Sequence, residues 1–140
     1  MILSDNGISK VWREGDWIFK QQPKFMTDNE IWCLETLYLS GFVPYAEQVN
    51  IDTIKLKYIE NQPVTDCHSF RHSMHKALQA LKDAGIRHGD LTDKNILVSA
   101  NAPYLIDFSE SRLTCDPRPD KRREGDSYWL ITTTERLCNA

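Results

Sequence analysis

The chain has 140 residues, of which 17 are Lys or Arg and 20 are Asp or Glu, so its formal net charge at pH 7 is −3. A chain of this length normally folds as one domain, and 41% hydrophobic with 26% charged residues is typical of globular proteins. No segment approaches the roughly 18–20 apolar residues that span a bilayer, and the charge balance gives no general attraction to nucleic acid. No secretory signal is visible at the N-terminus, so we expect a cytoplasmic protein without a membrane span.

The first half of the sequence alternates strand and helix patterns. "SKVWREGDWIFKQ" contains two β-rich runs joined by "EGD", which predicts a hairpin that ends near Lys20. "TDNEIWCLETLYLSG" has apolar residues at helical spacing, with Thr27 as candidate N-cap and Gly41 as a stop, and predicts an amphipathic helix. "IDTIKLKYIE" returns to a strand pattern, and Pro63 in "NQPVTD" interrupts it. We therefore predict a lobe boundary after this strand.

The second half is mainly helical in pattern. Residues 70–81 carry apolar side chains at helical spacing, and Gly85 follows as a stop. "ILV" (96–98) and "YLI" (104–106), separated by "SANAP", predict a small hairpin. "GDSYWLITTTERL" near the C-terminus predicts a last helix. These elements indicate an α+β chain with a β-rich first part and a helical second part.

Four cysteines occur at positions 33, 67, 115 and 138, without a C-x-x-C pair. Their wide and uneven spacing argues against a zinc site and against a disulfide framework. We therefore expect ordinary reduced thiols.

Three polar residues surround the second hairpin in a way that core packing does not require. Asp90 and Asn95 precede its first strand, and Asp107 follows its second strand. Side chains at these positions converge at one end of a hairpin and present three oxygen ligands. Partial coordination by oxygen suits Mg²⁺, which keeps several waters and binds through one or two carboxylates plus substrate phosphates. The pattern therefore indicates phosphate-transfer chemistry.

Two motifs in this region resemble the protein-kinase-like superfamily. "HGDLTDKN" (88–95) is similar to its catalytic loop, H-x-D-x-x-x-x-N, and "IDFS" (106–109) resembles its D-F-G segment, at the usual separation. "WIFK" resembles the strand that carries the phosphate-binding lysine, and "YIENQPV" resembles the hinge. The "HGD" form resembles the small atypical kinase of the KEOPS tRNA-modifying complex, and also the aminoglycoside and choline kinases. The sequence does not separate these branches.

The resemblance implies a two-lobed protein-kinase-like α+β fold in a single reduced domain. Its β-rich N-lobe would cover residues 1–60, its hinge 61–64, and its mainly helical, reduced C-lobe 65–140. ATP and Mg²⁺ are the implied cofactors, and Tyr58 and Ile59 would lie against the nucleotide. No A-P-E sequence occurs, so we expect a minimal kinase that recognises a protein substrate through a small surface or a partner.

The resemblance also assigns a role to each matched residue. It makes Asp90 the group that accepts or orients the proton of the acceptor hydroxyl, and Asn95 and Asp107 the ligands of Mg²⁺. It makes Lys20 the residue that binds the α- and β-phosphates, positioned by Glu30. Catalysis would then consist of placing the nucleophile in line and neutralising charge on the γ-phosphoryl oxygens.

The sequence departs from the family pattern in two loops. No G-x-G-x-x-G precedes Lys20; Gly7 and Ser9 instead resemble the reduced G-x-S-x-V loop of small-molecule kinases, whose backbone N–H groups can still meet phosphates. Thr92 stands where the catalytic loop usually has a lysine. We expect Lys94, two positions later, to supply the missing positive charge.

Several of these residues have a second interpretation. Thr27-x-x-Glu30 is also the spacing of a capping box, and Glu35 competes for the role of lysine partner from another helix face. His88 is expected to be a packed residue that braces the catalytic loop rather than a general base. Asp126 resembles the kinase aspartate that hydrogen-bonds the catalytic-loop backbone, but it is equally consistent with a favourable charge at a helix N-terminus.

We therefore predict an ATP- and Mg²⁺-dependent phosphotransferase, a minimal Ser/Thr-type protein kinase with autophosphorylation or ATPase activity. One alternative is a weak or inactive kinase-fold module that binds nucleotide or a partner, and another is a small-molecule kinase. The basic segment "RPDKRRE" (residues 118–124) is interpreted either as a mobile polar loop or as an exposed contact surface for a protein. It is also the one place where nucleic acid could bind.

Overall fold

A five-stranded antiparallel sheet forms the first lobe of the computed structural model, which describes residues 1–140. The predicted hairpin is confirmed, with Glu14 opposite Trp17 at its turn. The two outer strands of the sheet were not predicted. Along the chain the strands are β1 (Ile2–Asp5), β2 (Lys10–Glu14), β3 (Trp17–Gln21), β4 (Ala46–Asn50) and β5 (Thr53–Lys57), arranged in the order β1-β2-β3-β5-β4.

Helix α1 (Lys24–Leu37) packs its buried side chains, Ile31, Leu34 and Leu37 among them, into the core. The prediction that Thr27 caps this helix is wrong, because the helix begins three residues earlier, directly after Pro23. Proline is compatible with this position because it lacks the N–H that a helix start leaves unpaired. Thr27 is buried within the helix, and its hydroxyl donates to the carbonyl of Gln22 at 3.2 Å.

The second lobe is mainly helical, as predicted. The long helix begins after Asp66, which accepts a capping hydrogen bond from the N–H of Ser69 at 3.1 Å, and it ends at Gly85 with a left-handed φ of 69°. No helix is both long and apolar enough to cross a membrane. The elements are α2 (Cys67–Ala84), β6 (Ile86–Arg87), β7 (Ile96–Ser99), β8 (Ala102–Leu105), β9 (Arg112–Leu113) and α3 (Asp126–Cys138).

Two short antiparallel pairs accompany these helices. The pair β7–β8 is the hairpin predicted from the two apolar runs, and β6–β9, with two residues in each strand, was not predicted. A single apolar cluster extends through both lobes, from Ile54 of the sheet to Phe70 of α2 and Phe108 beyond β8, all fully buried. Because the lobes share this core, the cleft between them has a defined shape.

A disulfide joins Cys67, the first residue of α2, to Cys138, the last residue of α3. The expectation of reduced thiols is therefore wrong for these two residues, while Cys33 and Cys115 are free. Spacing gave no indication of the bond, because the antiparallel packing of two helices brings together residues 71 positions apart. Beside it, Arg71 makes two hydrogen bonds of 2.8 Å to Glu135.

Replacing Cys67 and Cys138 with serine is expected to lower the free energy of unfolding by about 2–4 kcal/mol. The bond closes a long loop, so its removal returns conformational entropy to the unfolded chain. Urea unfolding without reductant measures the change. Cys115→Ser, at an exposed thiol, is the matched control and should stay within roughly 0.5 kcal/mol of the parent. Equal stability of the double variant and the control would contradict a stabilising role for the bond.

Candidate active site

The β7–β8 hairpin brings Asn95 and Asp107 together. Ile96, the first residue of β7, lies opposite Leu105, the last residue of β8. The pairing continues one step further, because the N–H of Ile106 donates to the carbonyl of Asn95 at 3.0 Å. Asn95 and Asp107 therefore lie side by side at the open end of the hairpin, as the sequence motif predicts.

Asp107 adopts a backbone conformation that is uncommon for a residue with a side chain. Its φ is +63°, in the left-handed region. Its Oδ1 accepts hydrogen bonds from Lys20 Nζ at 3.0 Å and from the hydroxyl of Ser109 at 2.8 Å, while Oδ2 makes no hydrogen bond. Burial raises the pKa of Asp107, but the charge of Lys20 and the hydrogen bonds from Lys20 and Ser109 act in the opposite direction, and the net pKa lies below the ordinary value. The carboxylate is therefore charged at neutral pH and keeps one oxygen available.

Lys20, on β3, makes a buried ion pair with Glu30, on α1. Its Nζ lies 2.9 Å from Glu30 Oε1, and the two side chains are 12% and 1% exposed. Glu30 also accepts hydrogen bonds from Gln22 Nε2 at 2.9 Å and from the N–H of Phe108 at 2.8 Å. Burial lowers the pKa of Lys20, but the carboxylates of Glu30 and Asp107 outweigh it, and the pKa is raised overall. Lys20 thus remains an ammonium group between the lobes.

The competing interpretations of the glutamates are resolved by this arrangement. Glu30 lies in the interior of α1, so it does not form a capping box with Thr27. Glu35 is exposed on the opposite side and has no contact with Lys20.

Asp90 is held by residues that the sequence did not connect with it. Its Oδ1 accepts a hydrogen bond from Arg122 Nε at 2.8 Å, and its Oδ2 lies 3.4 Å from Lys121 Nζ and 3.1 Å from Asn95 Nδ2. Burial raises the pKa of Asp90, but the hydrogen bond from Arg122 and the charge of Lys121 outweigh it, so the pKa is lowered. Two cations of the basic segment thus contact this aspartate, a contact that neither interpretation of the segment included.

The catalytic-loop backbone is fixed by His88 and Asp126. Asp126 accepts hydrogen bonds from the N–H groups of His88 at 2.8 Å and Gly89 at 2.9 Å. The His88 ring is 1% exposed; its Nε2 lies 2.7 Å from the carbonyl of Ile106, and its Nδ1 accepts from the N–H of Asp90 at 3.1 Å. These bonds define a neutral ring that donates from Nε2. His88 is therefore a packed residue that braces the loop, as expected. Asp126 agrees with both of its interpretations, because it binds the loop backbone and is also the first residue of α3.

A cleft of about 620 Å³ separates the lobes, within the usual range for small-molecule sites. Lys94 lies at its edge, exposed and without an ion pair. Gly7 lies outside the cleft lining, with a left-handed φ of +83°. The Arg13 guanidinium stacks on Tyr58 at 3.6 Å. The predicted site residues that line the cleft are Ser9, Lys20, Glu30, Tyr58, Ile59, Lys94, Asn95 and Asp107.

The oxygens available in this cleft fit a magnesium ion bound together with phosphates. Asn95 directs its amide nitrogen at Asp90, which leaves its Oδ1 without a hydrogen bond, and Asp107 Oδ2 is likewise unpaired. No cluster of three or more His, Cys, Asp or Glu side chains capable of holding a metal occurs in the chain. One carboxylate and one amide oxygen match the preference of Mg²⁺ for few protein ligands plus substrate phosphates and water.

A lysine–glutamate pair, an H-x-D-x-x-x-x-N loop and a following aspartate around one interlobe cleft define a protein-kinase-like protein. The family model of the RIO domain matches residues 16–122, which extend from just before β3 to Arg122. The chain therefore belongs to the RIO domain family. The two branches that the sequence suggested, the KEOPS-type kinase and the aminoglycoside and choline kinases, are not confirmed by this match, which confirms the kinase-like superfamily and gives the RIO family. The chain is therefore an atypical kinase-like protein.

Two further similarities are to proteins named as kinases. Over 73 residues the chain is 34% identical to the mitogen-activated protein kinase spk1 of Schizosaccharomyces pombe, which covers 50% of this chain and 20% of that kinase. The Rio2 kinase of Chaetomium thermophilum, solved as an ADP/Mg²⁺-phosphoaspartate complex, matches with a TM-score of 0.69 and 17% identity. That match covers 98% of this chain and 52% of the Rio2 chain, so our chain spans about half its length. It confirms the two-lobed α+β kinase-like fold.

Proposed function

We propose that the chain is an ATP- and Mg²⁺-dependent phosphotransferase of the Ser/Thr protein kinase type, with its own hydroxyls among the acceptors. The observation that carries the proposal is the position of Lys20 Nζ, 2.9 Å from Glu30 and 3.0 Å from Asp107. A buried ammonium group so placed, in a cleft large enough for a nucleotide, is suited to bind phosphate oxygens. Membership of the RIO family and the ADP/Mg²⁺ complex of Rio2 kinase support it.

In this proposal each lobe contributes one part of the phosphate site. Lys20 binds the α- and β-phosphates and is oriented by Glu30, which is itself fixed by Gln22 and the N–H of Phe108. Asn95 and Asp107 would hold Mg²⁺, and the ion would supply positive charge that offsets the charge of the phosphates. Both residues are preorganised by the hairpin, so little reorganisation is needed during transfer.

The remaining predicted residues contact the base or the phosphates of the nucleotide. Tyr58 and Ile59, in the connection between the lobes, lie against the base, and the N–H groups near Gly7 and Ser9 approach the phosphates. In the structure the N–H of Ser9 donates to Asn6 Oδ1 at 2.8 Å, so it exchanges this bond for a phosphate oxygen. Lys94, exposed at the cleft edge, adds positive charge beside the γ-phosphate.

Asp90 orients the acceptor hydroxyl more than it removes the proton. In the arrangement observed, Arg122 and Lys121 hold the pKa of Asp90 below its ordinary value, and even without them an aspartate is ionised at neutral pH and is only a weak base. An ionised carboxylate accepts a hydrogen bond from the hydroxyl and aims it at the phosphorus. Phosphoryl transfer through a loose transition state needs this positioning more than full deprotonation.

Incubation with γ-labelled ATP and Mg²⁺ tests the proposal. We expect label to enter the protein itself or an added Ser/Thr protein at a rate well above that of Asp90→Ala. Asp93→Asn, which changes an exposed acid on the same loop, is the matched control and should retain turnover. If neither transfer nor ATP hydrolysis exceeds that of Asp90→Ala, the chain is not a phosphotransferase.

A second candidate function is nucleotide binding without turnover. The observation that favours it is the engagement of both Asp90 oxygens by Arg122 and Lys121. A module of this kind would be stabilised by nucleotide through mass action while product formation stays at background. Turnover that disappears in Asp107→Asn would exclude it.

A further inference from the structure

The basic segment lies across the catalytic loop instead of extending into solvent. The N–H of Arg122 donates to the carbonyl of Gly89 at 2.9 Å, in addition to the 2.8 Å contact of its side chain with Asp90. A Cβ at Gly89, whose φ is +89°, would lie 3.4 Å from the side chain of Asp120. This distance is ordinary van der Waals contact, so the basic segment packs directly on the loop, and it is the left-handed φ that favours glycine at this position.

This contact occupies the group that an acceptor needs. The Asp90 side chain is only 15% exposed, and its two oxygens are taken by Arg122, Lys121 and Asn95. A hydroxyl that is to be phosphorylated must form a hydrogen bond with this carboxylate. Because the Asp90 side chain is only 15% exposed, we expect Arg122 or Lys121 to move aside before an acceptor hydroxyl reaches it.

The contact is of a kind that another anion can replace. The side chains of Arg122 and Lys121 are 41% and 53% exposed, so both remain accessible from solvent while they touch Asp90. Partly exposed ion pairs are weak and exchange readily. A neutral acceptor provides no anion to which Arg122 and Lys121 can transfer from Asp90. A carboxylate beside the acceptor hydroxyl provides one.

The basic segment holds one more unpaired cation. Arg123, the residue after Arg122, is exposed and makes no ion pair. By contrast, Arg118 is already neutralised by Asp116, with which it makes three side-chain hydrogen bonds. The cations of the segment that an incoming acceptor can reach are thus Lys121, Arg122 and Arg123.

We propose that Arg122 and Lys121 determine acceptor specificity: they cover Asp90 until an acidic peptide segment, with Asp or Glu beside its Ser or Thr, draws them onto its own carboxylates. Asp90 is then uncovered for the hydroxyl of that peptide. This proposal rests on the phosphotransferase function proposed above and names its substrate class.

The test compares two acceptor peptides that differ only in charge: a serine flanked by glutamates and the same peptide with glutamines. Binding is measured by fluorescence anisotropy, and transfer by incorporation of label from ATP. For the parent protein we expect both the affinity and the transfer rate to be about tenfold higher for the glutamate peptide. This is the difference expected when the peptide forms two partly exposed ion pairs.

The variants assign the preference to particular side chains. Arg122→Gln with Lys121→Gln should reduce the preference to within about twofold and should raise transfer to the glutamine peptide, because Asp90 is uncovered. Arg118→Gln removes a charge from the same segment without touching Asp90 and should keep the preference. Retention of the tenfold preference in the double variant, or its absence in the parent, overturns the proposal.

The two readouts separate this proposal from the function on which it rests. Equal transfer to the two peptides would support the phosphotransferase function and would overturn the proposed preference for acidic peptides. Charge-dependent binding that is lost in the double variant supports the role of Arg122 and Lys121 in recognition. If it occurs with no transfer to either peptide or to the protein itself, and with no ATP hydrolysis above that of Asp90→Ala, the phosphotransferase function is overturned.

Discussion

Asp107→Asn is expected to lower phosphate transfer by about 10³-fold, while the protein stays folded. Asparagine tolerates the left-handed backbone that Asp107 adopts, with φ of +63°, so the substitution removes the charge and keeps the conformation. Loss of the one carboxylate assigned to Mg²⁺ removes several kcal/mol of charge stabilisation from the transition state. Initial rates with labelled ATP over a range of Mg²⁺ concentrations measure the loss.

Asp93→Asn is the matched control for this variant, because Asp93 is an acid of the catalytic loop that contacts only Arg136, at 3.7 Å. It should keep turnover within about twofold of the parent. Asp107→Asn with turnover in the same range would contradict the assignment of Asp107 as metal ligand.

Lys20→Met is expected to lower both transfer and stability. Removing a charge that stabilises the transition state costs roughly 10²–10³ in rate. The substitution also leaves Glu30, 1% exposed, without its cation, and breaking a buried pair in this way costs about 3 kcal/mol. Replacement of an exposed lysine would cost under roughly 0.5 kcal/mol. Urea unfolding and labelled-ATP assays on the same preparation measure the two effects.

The double variant Lys20→Met with Glu30→Gln separates the two effects. Glutamine keeps an oxygen that accepts from the N–H of Phe108 and removes the uncompensated charge, so we expect most of the lost stability to return. Transfer should remain as low as in Lys20→Met. Recovery of transfer in the double variant would show that Lys20 acts through folding alone.

The predicted elements that agree with the structure are those whose pattern reflects burial. Helix α2 buries Phe70, Met74, Ala77 and Leu81 at helical spacing, and the β7–β8 hairpin alternates buried and half-buried residues. Such patterns can be read from one sequence because each apolar position has a partner in the core.

The missed elements lack that pattern. Strand β1 is exposed along its whole length, and β4 is exposed at four of its five positions, so neither shows the alternation of a half-buried strand. Both lie at the edges of the sheet, where pairing is provided by the backbone of a neighbouring strand. The start of α1 was misplaced because the sequence motif at Thr27 imitates a cap.

The same distinction applies to the candidate site. Lys20, Glu30 and Asp107 could be predicted because family motifs fix their order in the chain, and the structure brings them within hydrogen-bonding distance. The contacts of Arg122 and Lys121 with Asp90 could not be predicted. They join charged residues about thirty positions apart, and a run of charges in a sequence is compatible with any solvated loop.

A crystal structure with a non-hydrolysable ATP analogue and Mg²⁺ tests the central claim most directly. We expect the ion to contact Asn95 Oδ1 and Asp107 and to bridge phosphate oxygens at 2.0–2.1 Å, the usual Mg²⁺ distance, with Lys20 on the α- and β-phosphates and the base beside Tyr58 and Ile59. An analogue bound elsewhere, or bound in the cleft with neither Asn95 nor Asp107 on the ion, would contradict the assignment of this cleft as a phosphotransferase site.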